Sequence, residues 1–110
     1  MGPMAQPSII ELTGRIDNVT SSAVEATLAA ALDGKPSALI LDLTGVTFVS
    51  SIGLRVLLMA AKRCRAQNAG FALYSVAPQI ASLFKLSGLN AFFPIYASRE
   101  AAVAAFAQTA

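Results

Sequence analysis

Apolar runs and helical spacings alternate along the chain, and together they predict an α/β fold. Residues 8–12 and 38–43 are short runs dominated by isoleucine and leucine, which is typical of strands in a buried sheet. Residues 71–76 and 93–96 are further strand candidates nearer the C-terminus. The intervening segments place apolar residues three and four positions apart, which favours helices. We therefore predict four to five strands and about four helices.

The first predicted helix carries signals at both of its ends. Ser22 followed by Glu25 matches a capping box at the start. Gly34 follows the last turn, and Pro36 prevents the helix from continuing. One face is apolar and is expected to point towards the core: Val24, Leu28, Ala31 and Leu32.

Two shorter helices are predicted in the second half of the chain. Pro78 suits the first turn of one of them, and Gly88 closes it. Ser98 is expected to cap a terminal helix that is rich in alanine.

The longest predicted helix begins at Ser50 or Ser51 and reaches about residue 68. Gly70 is expected at the left-handed position just beyond its end. At about 100° per residue, one side forms an ordinary core face: Leu54, Leu57, Leu58, Ala61 and Cys64. A second apolar stripe lies on the opposite side and is flanked by Arg55 and Lys62: Ile52, Val56 and Met59.

A helix with two apolar stripes needs two neighbours. The sheet of the same domain covers one stripe. The stripe of Ile52, Val56 and Met59 is then covered either by another helix of the domain or by a partner protein, since apolar surface rimmed by charge is typical of interfaces. Spacing alone leaves both interpretations open.

Composition and charge narrow the possible functions. The chain has 110 residues, of which 55% are hydrophobic and 13% charged, so it can fold around a core. A net charge of +2 is too small and too scattered to indicate nucleic-acid binding. With no histidine and one cysteine, the chain cannot form a Ser-His-Asp triad, a zinc site or an internal disulfide. We therefore expect no catalysis, no metal and no cofactor.

The distribution of apolar residues also bears on localisation. The first residues lack the charged and apolar regions of a signal peptide. No apolar run approaches the roughly 20 residues of a membrane span. We expect a cytoplasmic protein with one domain over residues 1–110, in which residues 1–7 form a loose lead-in.

Three segments resemble the STAS domain family, and in particular its anti-sigma factor antagonists, which are also called anti-anti-sigma factors. They are LTGRID at residues 12–17, ALILDLTGVTFVSSIGLRVLL at residues 38–58 and GFALYSVAPQIASLFKLSG at residues 70–88. Their order and spacing also fit the family. The resemblance covers nearly the whole chain from Ser8 onward.

The resemblance implies a mixed β-sheet with several helices and a function in partner switching. In such proteins an unphosphorylated serine at the start of the second helix permits binding to an anti-sigma factor that is also a serine kinase. This binding frees the sigma factor. Phosphorylation by the kinase breaks the complex, and a phosphatase resets it. We expect the same classes of partner here, with no direct contact to nucleic acid.

This chain departs from the family at the serine itself. The family tetrad reads aspartate, serine, serine or threonine, and glycine, with the phosphate on the third residue. The matching residues here are Ser50, Ser51, Ile52 and Gly53. Because Ile52 has no hydroxyl, phosphorylation at the usual position is excluded. Ser51 is the best remaining acceptor, and Ser50 is the second.

Two interpretations of the serines remain open. Either Ser51 takes over the switch, or the domain binds its partner constitutively and the switch lies elsewhere. In the second case both serines act only as helix caps. In both cases we expect the partner to contact Asp17 of the GRID segment together with the start and outer stripe of the long helix: Ile52, Gly53, Arg55, Val56 and Met59. An alternative function on the same fold is a soluble accessory subunit of a lipid or anion transport system.

Overall fold

Four strands and four helices alternate in the computed structural model, which describes residues 6–106. In chain order they are β1 (Ser8–Ile16), α1 (Ser21–Asp33), β2 (Ala38–Val49), α2 (Ser51–Ala66), β3 (Gly70–Tyr74), α3 (Pro78–Leu86), β4 (Ile95–Tyr96) and α4 (Arg99–Phe106). The predicted α/β class is confirmed. Of the expected lead-in, residues 1–5 lie outside the described part. Gln6 already contacts the sheet, because its carbonyl accepts a hydrogen bond of 3.0 Å from the Ser37 amide.

The sheet has the strand order β1-β2-β3-β4, and every pairing within residues 6–106 is parallel. The mixed pairing implied by the resemblance is therefore not seen in this range. The reason is that each strand is joined to the next by a helix, which returns the chain to the same end of the sheet.

The two halves of β2 have different neighbours. β1 pairs with β2 along its length, from Ser8 opposite Leu39 to Ile16 opposite Val49. β3 pairs with β2 only between Ala38 and Asp42. The carboxyl-terminal half of β2 therefore extends past β3. Among the described strands, β1 is its neighbour there.

The core lies on one side of the sheet, beneath α1, α2 and α3. Its largest fully buried side chains include Leu28, Leu41, Leu57, Phe84 and Phe93. A smaller cluster lies on the other side, where α4 packs Ala102 against Ile40 and Ala72. Arg15 and Phe48, near the ends of β1 and β2, are not covered by this second layer and are exposed.

Two predicted helix boundaries are wrong. α1 begins at Ser21, so Ser22 lies inside the helix and forms no capping box. Asn68, with φ 58°, takes the left-handed position after α2, whereas Gly70 is the first residue of β3. Gly70 is constrained by packing instead, because a Cβ there would lie 2.3 Å from the Phe106 ring.

The predicted strands at residues 71–76 and 93–96 are shorter in the structure, at Gly70–Tyr74 and Ile95–Tyr96. The predicted ends of α3 and the predicted cap of α4 are confirmed. α3 begins with Pro78, and Gly88 follows its end with φ +74°. The Ser98 hydroxyl accepts a hydrogen bond of 3.1 Å from the Ala101 amide and so caps α4.

Candidate functional site

The start of α2 is attached to the end of β1. Ile16 lies opposite Val49 in the sheet, and the Ser50 amide donates a hydrogen bond of 2.9 Å to the Ile16 carbonyl. Asp17 and Ser50 therefore follow directly after two paired strand ends. This arrangement brings the GRID segment and the four residues of the tetrad to the same edge of the sheet.

The two serines of the tetrad have different environments. Ser50 is the N-cap of α2, and its hydroxyl accepts a hydrogen bond of 3.1 Å from the Gly53 amide. Its carbonyl accepts the Leu54 amide at 2.8 Å. Ser51 is the first helical residue and is exposed, and its hydroxyl has no hydrogen-bond partner among residues 6–106. Ser51 is thus the more accessible hydroxyl.

Gly53 sets how closely α2 approaches β1. It is buried, and a Cβ built on it would lie 2.3 Å from the Ile16 carbonyl oxygen and 2.9 Å from Ile16 Cγ2. No side chain fits in that space without moving the backbone of β1 or of the helix. Gly53 therefore positions Ser51 and Ile52, and it has little surface of its own to offer a partner.

The Asp17 carboxylate organises the loop between β1 and α1. One oxygen accepts hydrogen bonds from the Val19 and Thr20 amides at 3.0 and 3.2 Å. The other accepts one of 3.1 Å from Arg15 Nε. The Arg15 guanidinium and these amides lower the pKa of the carboxyl despite partial desolvation. Asp17 therefore carries its negative charge at neutral pH.

An exposed aromatic ring lies beside this carboxylate. The Arg15 guanidinium, held by Asp17, lies 4.1 Å from the centre of the Phe48 ring. Sequence spacing does not point to this pair, because the register of β1 and β2 shifts between Gly14 and Arg15. Strand alternation alone therefore cannot place Arg15 opposite Phe48.

The second apolar stripe of α2 is covered only in part. Val56 is half-buried and packs against the core, beside α1. Ile52 and Met59 keep 47% and 56% of their surface exposed. Within the described residues, a helix of the same chain therefore covers the middle of the stripe and leaves its outer side exposed. That a partner protein covers Ile52 and Met59 stays a prediction.

A groove of about 180 Å³ runs between α1 and α2. Both walls are largely apolar, and Glu25 and Arg63 add charge at the margins. Its lining comprises Glu25, Leu28, Ala29, Leu32, Val56, Met59, Ala60 and Arg63. Near the C-terminal ends of both helices, Arg63 forms a salt bridge of 2.6 Å with Asp33. We call this feature the α1/α2 groove. Ile52 lies one helical turn before Val56, on the same side of α2.

The charge of α2 has one sign. The helix carries Arg55, Lys62, Arg63 and Arg65, and no acidic residue. Arg65 is directed elsewhere, with its guanidinium 5.3 Å from the centre of the Phe92 ring. Arg55 and Lys62 are exposed beside the stripe and form no salt bridge within residues 6–106. The outer flank of the α1/α2 groove is therefore positively charged.

Neither a metal-ligating cluster nor an exposed thiol is found in the described part of the chain. Residues 6–106 contain no cluster of three or more side chains that would ligate a metal. Cys64 is buried, and burial raises the pKa of its thiol to about 11, so it is a poor nucleophile at neutral pH. None of the helices described is long and apolar enough to cross a membrane. What the site offers is a surface: an exposed hydroxyl, an apolar stripe and a basic flank.

Known proteins resemble this chain along most of its length. Residues 5–102 match the STAS domain. The chain is 38% identical over 95 residues to BtrV of Bordetella bronchiseptica, named as an anti-sigma factor antagonist, with 86% of this chain and 82% of BtrV covered. The crystal structure of an anti-sigma factor antagonist from Mycobacterium paratuberculosis has a TM-score of 0.85 at 29% identity and covers 97% of this chain and 91% of its own. Unphosphorylated SpoIIAA, at 19% identity and a TM-score of 0.77, shares the fold and covers 100% of this chain and 96% of its own.

Proposed function

This chain belongs to the STAS domain family, and on that premise we propose that it is an anti-sigma factor antagonist. It binds an anti-sigma factor. The sigma factor that the anti-sigma factor had held inactive is thereby released. The partner is a kinase-like anti-sigma factor of the cytoplasm, where sigma factors act. The domain itself contributes a binding surface and no catalytic group.

One observation carries this proposal: an exposed hydroxyl and an exposed apolar side chain are adjacent at a rigidly held helix start. Ser51 and Ile52 lie between the Ser50 cap and the buried Gly53. Because both anchors are fixed to β1, a partner finds the pair already in position, and little ordering is needed on binding. An apolar contact beside a modifiable hydroxyl is what a phosphorylation-controlled interface requires.

The switch acts at Ser51. The partner kinase transfers the γ-phosphoryl group of its bound ATP to the Ser51 oxygen, ADP leaves, and the hydroxyl proton is released. The product carries about −1.5 to −2 charges. In the isolated domain, the amides of the first turn of α2 and the helix dipole stabilise the phosphate. A partner packed on Ile52 must desolvate it, so the complex dissociates until a phosphatase removes the group.

The binding surface is tested by placing the same charge at two exposed apolar positions. Ile52→Asp inserts a carboxylate into the proposed interface, and Leu86→Asp, at a side chain that is 86% exposed on α3, is the matched control. We expect Ile52→Asp to weaken binding to the purified anti-sigma factor at least tenfold in isothermal titration calorimetry, about 1.4 kcal/mol. Leu86→Asp should bind like wild type. Equal affinities for all three proteins would contradict the interface.

The acceptor is tested with the kinase, ATP and peptide mass spectrometry. Ser51→Ala should abolish the modification, whereas Ser50→Ala should retain it, because the Ser50 hydroxyl serves as the helix cap. A phosphate on Ser50 would reassign the acceptor. Binding of the partner without any modification of either serine would favour the constitutive interpretation.

A further inference from the structure

The α1/α2 groove has the form of a helix-binding site. Its base consists of the more buried lining residues, Leu28, Leu32, Val56 and Ala60, and Ala29 and Met59 also line it. A third helix can therefore lie along the groove and insert an apolar side chain between α1 and α2.

The charges along the groove favour a particular kind of helix. Arg55 and Lys62 are seven residues apart, which is about 10.5 Å along α2, and they lie on nearly the same side of the helix. Neither forms a salt bridge within the described residues. On the opposite wall, Glu25 of α1 is the acidic residue in the lining. A helix in the groove thus meets positive charge on one flank and negative charge on the other.

We propose that the occupant of the α1/α2 groove is an amphipathic helix of the partner, with a large apolar side chain at its centre and acidic residues, about two turns apart, on the flank beside Arg55 and Lys62. The inference rests on the proposed function, since it names the chemistry of the partner segment that the same surface receives. Electrostatic complementarity of this kind also determines the orientation in which the helix binds along the groove.

The proposal supplies an electrostatic reason for the switch. Arg55 follows Ser51 by four residues, and side chains at this spacing are neighbours on a helix surface. A phosphate on Ser51 therefore competes for Arg55 with the acidic flank of the occupant. It also repels that flank directly. Phosphorylation removes an attraction and adds a repulsion at the same end of the groove.

Synthetic peptides test the proposal without the natural partner. Two stapled helical peptides share one apolar face, and one carries glutamates seven residues apart on the flank where the other carries lysines. We expect the acidic peptide to bind wild type at least tenfold more tightly at low salt, measured by fluorescence anisotropy. The amide signals of Ile52 and Met59 should shift in NMR spectra. Raising the salt concentration should reduce the difference.

Charge reversal identifies the residues responsible. The double variant Arg55→Glu/Lys62→Glu should lose the preference for the acidic peptide. The matched control is Lys85→Glu/Arg65→Glu, which makes the same change in net charge at exposed positions on α3 and on another side of α2. It should keep the preference. Absence of binding by both peptides, equal binding of the two, or an unchanged preference in the double variant would overturn the proposal.

Two further outcomes separate this inference from the proposed function. If wild type binds the anti-sigma factor and Arg55→Glu/Lys62→Glu binds it equally well at low salt, the acidic helix is wrong and the function stands. If wild type does not bind the anti-sigma factor at all, the function fails, whatever the peptides do. Self-association in sedimentation experiments that Ile52→Asp abolishes would assign the groove to a second copy of this chain and overturn the proposal.

Discussion

The two faces of α2 have opposite environments. Gly53 and Ile52 are adjacent in sequence, yet a Cβ at Gly53 would strike the Ile16 backbone, whereas Ile52 is 47% exposed. The inner face continues through Leu54, Leu57 and Cys64, all buried. The outer face continues through Met59, which is exposed.

The two faces of α2 are therefore under different physical constraints. On the inner face, residue volume matters, because the space between helix and sheet is filled. On the outer face, the exposed side chains of Ile52 and Met59 have room around them, so their chemistry matters more than their volume. Substitutions on the inner face should therefore change folding, and those on the outer face should change binding.

Leu57→Ala should have the largest effect on stability. Leu57 is fully buried between α2 and the sheet, and its truncation leaves a cavity. We expect a loss of about 3 kcal/mol in the free energy of unfolding, measured by urea denaturation. Met59→Ala, on the outer face, should stay within about 0.5 kcal/mol of wild type and weaken partner binding instead. Similar losses of stability for both variants would show that Met59 belongs to the core.

Gly53→Ala tests the close approach of α2 to β1. Helix propensity alone predicts a gain of up to about 1 kcal/mol, but the new methyl group would lie 2.3 Å from the Ile16 carbonyl oxygen. We expect a net loss of about 2 kcal/mol from overpacking. Gly34→Ala is the control, because a Cβ there meets only Ala31 O at 3.4 Å and φ is −76°. A stabilised Gly53→Ala variant would refute the close approach.

Ser50→Ala and Ser51→Ala separate the cap from the accessible hydroxyl. The Ser50 hydroxyl accepts the Gly53 amide, so its removal should cost about 1 kcal/mol of stability in thermal or urea unfolding. Ser51→Ala should leave stability within about 0.5 kcal/mol of wild type, because its hydroxyl bonds to none of the described residues. A larger loss at Ser51 than at Ser50 would mean that α2 starts one residue later.

The inner face of α2 was predictable from sequence, and the coverage of its outer face was not. Spacing at about 100° per residue assigns five residues to one side: Leu54, Leu57, Leu58, Ala61 and Cys64. Four of them are buried, and Leu58 is partly buried against the core. The same angles group Val56 with Met59. α1 nevertheless covers Val56 and leaves Met59 exposed, because coverage depends on where another helix lies and not on the angle along α2.

The helix starts show a similar division between those that depend on local residues and those that depend on distant contacts. Pro78 and Ser98 act through their own backbone or hydroxyl, and both helix starts are confirmed. The Ser22 capping box fails because the loop before α1 is held by Asp17, whose carboxylate bonds the Val19 and Thr20 amides. That loop geometry depends on Arg15 and on the end of β1, which the local sequence of α1 does not contain.

The smallest effect is expected at Asp17, on the loop beside the helix start. Its hydrogen bonds to Arg15 and the loop amides lower the folded pKa below the ordinary value of 3.8. The stability that Asp17 contributes is therefore complete above that value and is lost as pH falls from there through the lowered pKa. Between about pH 5 and about pH 2, wild type should lose stability more steeply than Asp17→Asn, measured as the urea midpoint. Glu11→Gln is the control, because Glu11 is an exposed carboxylate on β1 without a side-chain hydrogen bond among the described residues. If Asp17→Asn retains the wild-type slope, the Asp17 contacts organise the loop without stabilising the fold.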